Sequence, residues 1–392
     1  MRRLLTPARA QVAATLLALL AAGIILLWVA DLVGLDRAAG AKPPARDFVA
    51  FWAAARLALQ GQGEALYNNS VIEAFERAHV SMAPGYYAFY YPPPFLLACL
   101  PLGLLPYVWS LLLFLAAQAA LFWTTLRAIL PRSWGLMPLL ACPGFLLNAL
   151  SGQNGGLTAS CFGGALLLLD ARPLLGGACL GALVYKPQMA LAVPVALLAA
   201  RRIRAALAAG GTAAALCLAS LLALGTGPWR GFLSNAGAAR GDLERLSVKW
   251  PMMQSFYADI RLGGGGLALG YGGQAVLALA ALALLAHLSW RRAGAGPEAA
   301  ALAATALLVT PFLYDYDLVV LAVPLAWLAR RSERAGIGIV AGALMLVLYL
   351  LPLDNVAVRA GLGMPLAPPL IFCLLVLIWR EGLRDAQRPV PA

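Results

Sequence analysis

Charge is scarce in this sequence: only 12% of its 392 residues are Asp, Glu, Lys or Arg, while 62% are hydrophobic. A water-soluble domain carries about 25% charged and 45–50% apolar residues, so that class is excluded. Lysine is rarer still, at three against 26 arginines, and there are two histidines. The six cysteines (Cys99, Cys142, Cys161, Cys179, Cys217 and Cys373) all sit in apolar segments. With no Cys-x-x-Cys and no neighbouring His, they lack metal-site spacing and read as small hydrophobes. No metal or other cofactor has support in the sequence. Internal repeats of fixed period, a low-complexity tail and a soluble catalytic domain are also missing. The net charge of +12 does not signal nucleic acid, because the arginines stand at the ends of apolar runs instead of among aromatics on a polar face.

What is present is a succession of apolar runs from residue 11 to residue 379, separated by short Arg, Pro and Gly clusters. This is an all-α polytopic membrane protein forming a single membrane domain, 1–392. The clusters near residues 2–9, 127–132, 172, 201–204, 291–292, 330–334 and 380–388 hold 17 arginines and, with Asp170, Glu298, Glu333, Glu381 and Asp385, 5 acids, an excess equal to the whole net charge. Placing them inside gives cytoplasmic termini and about 12 membrane segments: roughly 11–33, 107–127, 135–150, 157–170, 174–185, 188–200, 206–225, 264–290, 299–312, 317–330, 336–352 and 366–379. The first run has the basic flank of a signal peptide, and Ala39-Gly40-Ala41 resembles a cleavage site, but its length favours an anchor. Several segments are shorter than the roughly 20 residues a span needs and read as half-depth helices lining a cavity. Tyr91 to Pro106 reads as a re-entrant or interfacial piece. Two long extracytoplasmic loops remain, 34–90 with amphipathic helix signals and 226–263.

Polar residues stand out against this background. Asp47 opens an aromatic segment through Arg56 that reads as a helix on the outer membrane surface; the carboxylate is either its cap or a general base. Arg46 and Arg56 read as snorkelling residues. Ser70 to Glu73 has capping-box spacing and starts a helix through exposed His79. Tyr86 to Pro94 is an aromatic belt with a polyproline end. Between two apolar helices, Ser151-Gly152-Gln153-Asn154 is a turn that has no need of Gln153, and its amides suit sugar hydroxyls. Lys186, in Val184-Tyr185-Lys186-Pro187-Gln188, is an ammonium amid apolar residues, a costly placement that calls for a wet cavity or an anion such as phosphate. Asp315 and Asp317, in Tyr314-Asp315-Tyr316-Asp317, either cap the next helix or serve a site. Arg261, after Lys249 to Asp259, is a phosphate contact or a solvated residue.

Taken in order, these marks resemble glycosyltransferase family 87, of the GT-C type, which is similar to polyprenol-phosphate-mannose-dependent mannosyltransferases. The resemblance covers roughly residues 45–330. It is carried by Asp47 with its aromatic helix, Gly63-Glu64-Ala65-Leu66-Tyr67, Tyr91-Pro92-Pro93, Gly152-Gln153-Asn154, Gly177 to Lys186-Pro187, Ser255 to Arg261, and Thr310-Pro311 to Leu318. It implies a GT-C fold and transfer of a mannose-like hexose from a polyprenyl-phosphate donor to a lipid or glycan acceptor outside the cell membrane, with inversion. In that scheme Asp47 is the base, Lys186, Arg261 and Arg56 bind the donor phosphate, and Tyr91, Gln153, Asn154, Gln188, Asp315 and Asp317 bind substrate. Where many relatives carry a Trp-Asp-His-His motif, this chain has Tyr314 to Asp317, so any role of those histidines does not transfer. The rival reading is a secondary transporter of an anion, which broken helices and an intramembrane Lys also suit.

Overall fold

A computed structural model describes residues 7–35, 45–80, 87–130, 141–245, 252–353 and 366–387, and every regular element among them is a helix. Arg2, Arg3, Ala39 to Ala41, Tyr86, Arg132, residues 135–140, Lys249 and Arg388 lie outside the described residues. In chain order come α1 (Pro7–Leu35), α2 (Arg46–Leu59), α3 (Asn69–His79), α4 (Pro93–Gly103) and α5 (Tyr107–Ile129). Next are α6 (Pro143–Ser151), α7 (Gly155–Leu168), α8 (Pro173–Gly181), the short α9 (Pro187–Ala190) and α10 (Val193–Ala199). Then follow α11 (Ile203–Leu224), α12 (Gly227–Glu244), α13 (Phe256–Leu262), α14 (Leu267–Trp290) and α15 (Ala295–Val309). A 3-10 helix, Asp315–Leu321, runs into α16 (Ala322–Ala335), and α17 (Ile339–Leu350) and α18 (Ala367–Ala386) come after it.

Proline begins α4, α6, α8 and α9. It fits there because the first helical N–H has no intrahelical acceptor and the ring presets φ. The run predicted as 188–200 is divided at residues 191–192 into α9 and α10, with Pro194 in the first turn of α10. Among the described residues, α5, α11 and α14 are by length and composition long and apolar enough to cross a membrane; about twelve segments were expected, and α4, α7, α15 and α17 are apolar but shorter. The helix predicted from residue 317 begins instead as a 3-10 turn.

The centre of the fold is α15, an Ala-rich helix buried on every side by α7, α14, α16, α18 and the 3-10 helix. Small side chains let helices approach closely where no water drives them together. The second such contact is the crossing of α8 and α11: a Cβ at Gly177 would lie 2.2 Å from the Ala205 carbonyl oxygen, and one at Gly181 2.3 Å from that of Ala209.

Two expectations are corrected. First, α2 is not a surface helix: Asp47 to Ala55 are all buried, covered by α3, α4 and α5. Its charges lie near its two ends, and a helix apolar all round belongs in a protein interior. Second, α3 is capped by Asn68, whose side chain accepts the Ser70 N–H at 3.0 Å, while Glu73 pairs with Arg77 at 2.6 Å instead of closing a capping box.

Candidate active site

The turn between α6 and α7 organises the polar residues. Gly152 closes α6 with φ +70°, and a Cβ there would come within 2.7 Å of the Cβ atoms of Ala45 and Phe48. Only glycine accepts both that backbone and that approach. The tight contact lays the turn against the start of α2. Gln153 Nε2 then donates to Asp47 Oδ2 at 2.9 Å. The residue before α2 that takes the capping position is Ala45, with no side-chain bond, so the capping reading of Asp47 is set aside. Asp47 is 7% exposed and sits in the first turn of α2, where the helix dipole favours a carboxylate. Tyr91 donates its hydroxyl to Gln153 Oε1 at 3.1 Å. The Tyr91 carbonyl accepts the Tyr67 hydroxyl at 2.9 Å, and its ring packs on Phe51 and Phe95.

The next residue of the turn reaches the cation. Asn154 Oδ1 accepts from Lys186 Nζ at 3.2 Å, and Asp317 Oδ1 accepts from the same ammonium at 2.5 Å. Lys186 is 2% exposed. It lies between a 3-10 turn and Pro187, at the helix break, with its ammonium over the Tyr316 ring at 5.6 Å. Asp317 uses its second oxygen to accept the Tyr314 N–H at 3.3 Å, so it both caps the 3-10 helix and neutralises Lys186. Asp315 Oδ1 accepts the Tyr316 N–H at 2.7 Å. Asn154 Nδ2 is buried close to the Tyr91 hydroxyl but has no partner in hydrogen-bond geometry. A buried donor left open beside a cation suits an anionic or hydroxyl-bearing ligand.

Other predicted residues stand apart. Arg56 donates to the Leu105 carbonyl at 3.4 Å and stacks on Trp52, at the far end of α2, roughly 13 Å along the helix from Asp47. Arg261 donates to the carbonyls of Gly265 (2.8 Å) and Glu244 (3.3 Å), which ties α13 to α12. Gln188 is half-buried and makes no hydrogen bond with the turn. Two buried amides that sequence reasoning passed over belong to the site: Gln118 Nε2 donates to the Gln153 carbonyl at 3.0 Å, and Asn148 Nδ2 donates to Gln118 Oε1 at 2.9 Å. Each is the lone amide of its helix, the same signal that singles out Lys186. Among the described residues, no group of three or more His, Cys, Asp or Glu side chains is placed to hold a metal ion.

The arrangement offers a buried carboxylate able to take a proton and, from the adjacent residue of the same turn, a cation with an open amide donor. Residues 89–311, more than half of the chain, match the sequence model of Glycosyltransferase family 87. The matched stretch contains Tyr91, Gln153, Asn154 and Lys186; Asp47 and Asp317 lie on either side of it. No curated protein matches the chain, and neither does any solved structure.

Proposed function

The chain belongs to glycosyltransferase family 87, and from that premise we propose that it moves a sugar from a polyprenyl-phosphate donor to an acceptor hydroxyl on the extracytoplasmic side of the cell membrane, with inversion. The observation that carries this is the turn itself: Gln153 holds Asp47 and Asn154 holds Lys186, so base and cation hang from consecutive residues. Family membership also favours transfer over transport of an anion.

In the proposed step Asp47 accepts the proton of the acceptor hydroxyl. The hydroxyl oxygen bonds to the anomeric carbon as the bond from that carbon to the phosphate oxygen breaks, and the electron pair leaves on polyprenyl phosphate. Lys186 and the Asn154 amide offset the charge that builds on the departing phosphate. Asp317 competes with that phosphate for the ammonium, so donor binding loosens an ion pair instead of meeting a bare charge. Arg56 and Arg261, both committed to backbone carbonyls, have a weaker claim on the phosphate. The donor sugar is taken as a mannose-like hexose, and the acceptor as a lipid or glycan.

The test is Asp47→Asn in purified protein with a panel of polyprenyl-phosphate sugars, following donor consumption and release of polyprenyl phosphate. The expected result is a loss of kcat of roughly a hundredfold or more, with donor KM little changed. Wild-type turnover in folded Asp47→Asn protein removes Asp47 from the reaction.

A further inference from the structure

The buried amides beneath the turn have no part in the step above, yet their bonds hold the backbone on either side of Asn154, at Gln153 and Gly155. Gln118 lies in the middle of α5, fully buried. Its Nε2 donates to the Gln153 carbonyl at 3.0 Å, and its Oε1 accepts from Asn148 Nδ2 at 2.9 Å. Asn148 Oδ1 in turn accepts the Gly155 N–H at 2.7 Å, and the Asn148 carbonyl accepts the Gln153 N–H at 3.0 Å. The backbone groups of Gln153 are therefore both held, and so is the N–H that follows Asn154. A Cβ at Gly156 would stand 2.9 Å from Gln118 Oε1, so that glycine leaves the room the Gln118 amide occupies.

From this geometry we infer that Gln118 and Asn148 are positioning residues, a two-amide clasp that sets the peptide planes around residues 153 and 154 and so aims Gln153 at Asp47 and Asn154 at Lys186. A helix-ending turn needs neither side chain. Buried amides are costly unless every group is matched, and here the matched partners are the turn's own peptides. Because both side chains radiate from one short backbone segment, a small rotation of its peptides misplaces base and cation together, and an error of about 1 Å in such geometry is worth roughly a hundredfold in rate.

The inference rests on Asp47 being the base, so Asp47→Asn is measured first; turnover retained there overturns the base reading itself. The test proper compares Gln118→Leu, Asn148→Ala and the double variant with Gln274→Leu, all as full-length protein assayed with polyprenyl-phosphate mannose. Gln274 is a matched control: a buried amide in α14 that accepts the Tyr257 N–H at 3.0 Å and donates to the Leu308 carbonyl at 2.7 Å, away from Asp47. The clasp predicts that Gln118→Leu and Asn148→Ala each lower kcat by roughly ten- to a hundredfold. It also predicts that the acid side of the pH–rate profile moves to higher pH, because the Gln153 bond that favours the ionised carboxylate is loosened. The double variant is no worse than the more damaged single one, as expected for groups acting as a unit. Gln274→Leu lowers thermal stability and leaves the pH profile in place. If Asp47→Asn is inactive but the clasp variants lose activity only in proportion to folded protein, with unmoved pH profiles, the clasp is structural and the inference fails. Should Gln118→Leu not fold, Asn148→Ala alone decides by the same two readouts.

Discussion

A lysine ammonium with 2% exposure survives in an apolar setting because Asp317, Asn154 and the Tyr316 ring surround it. The pair gives little net stability, but breaking it leaves a buried charge without compensation. Asp317→Asn is therefore expected to cost roughly 3–5 kcal/mol, read as a fall in the thermal unfolding midpoint in detergent. The double variant Lys186→Met with Asp317→Leu recovers most of that loss while remaining inactive in sugar transfer. Recovery of activity along with stability would deny Lys186 a part in the chemistry. A different buried acid, Glu76 on α3, is pushed up to about 8, first by burial and then by the neighbouring Glu73, although the Tyr87 N–H bond opposes the shift. Its folded value exceeds the unfolded one, so the folded chain holds more protons between about pH 4.5 and 8, and stability falls as pH rises through that window. Glu76→Gln should flatten this slope and raise the unfolding midpoint relative to the parent at pH 8, with little difference at pH 4.5. Parallel curves for the two proteins would show that Glu76 is ionised when folded.

Among elements, the α8–α11 crossing shows how sequence spacing becomes a contact. Gly177 and Gly181 are one turn apart on α8, as are Ala205 and Ala209 on α11, and backbone meets backbone between them. Gly177→Ala or Gly181→Ala should destabilise by about 1–3 kcal/mol through overpacking. Gly210→Ala, on α11 with open space around its Cβ, should be neutral or slightly stabilising because alanine favours helix. Thermal unfolding of the three variants separates packing from propensity: equal effects at all three positions would deny the close crossing. Gly177 stood out in the sequence, but its partner did not, since a pairing between separate helices leaves no local pattern. The site was more legible. Asp47, Gln153, Asn154, Lys186 and Asp317 were each visible because a charge or amide amid apolar residues needs a reason to be there. Gln118 and Asn148 carry the same signal more faintly, being neutral, and a buried amide is read only once its partners are known. The placement of α2 was misread because aromatic content was taken for an interfacial face; charges confined to the helix ends were the better guide.

At the scale of the molecule, two helices measure the depth of the site. α7 and α15 run antiparallel, and at one end Arg202 bridges Asp170 (2.8 Å) and Glu298 (2.6 Å), with the Ala295 N–H donating to Asp170 at 3.0 Å. Arg331, paired with Glu381 (2.6 Å) and Asp385 (2.7 Å), joins α16 to α18. The charged residues among these lie in or beside the arginine clusters assigned to the cytoplasm. At the other end, α7 begins beside Asn154 and α15 leads to Thr310 and the Asp315–Leu321 turn. With 14 and 15 residues, the two helices span about 21–22 Å, short of the roughly 30 Å of hydrocarbon. On the proposed topology, Asp47 and Lys186 are thus sunk below the outer boundary, a depth that suits a donor whose sugar phosphate hangs from a lipid. The orientation is tested by single cysteines in a background where the six native ones are replaced. With intact cells and an impermeant maleimide, Gly241→Cys on α12 should label from outside, whereas Arg292→Cys, after α14, should label only when the membrane is opened. Labelling of position 292 in intact cells would invert the topology and carry Asp47 to the cytoplasmic side, where the acceptor would have to be sought.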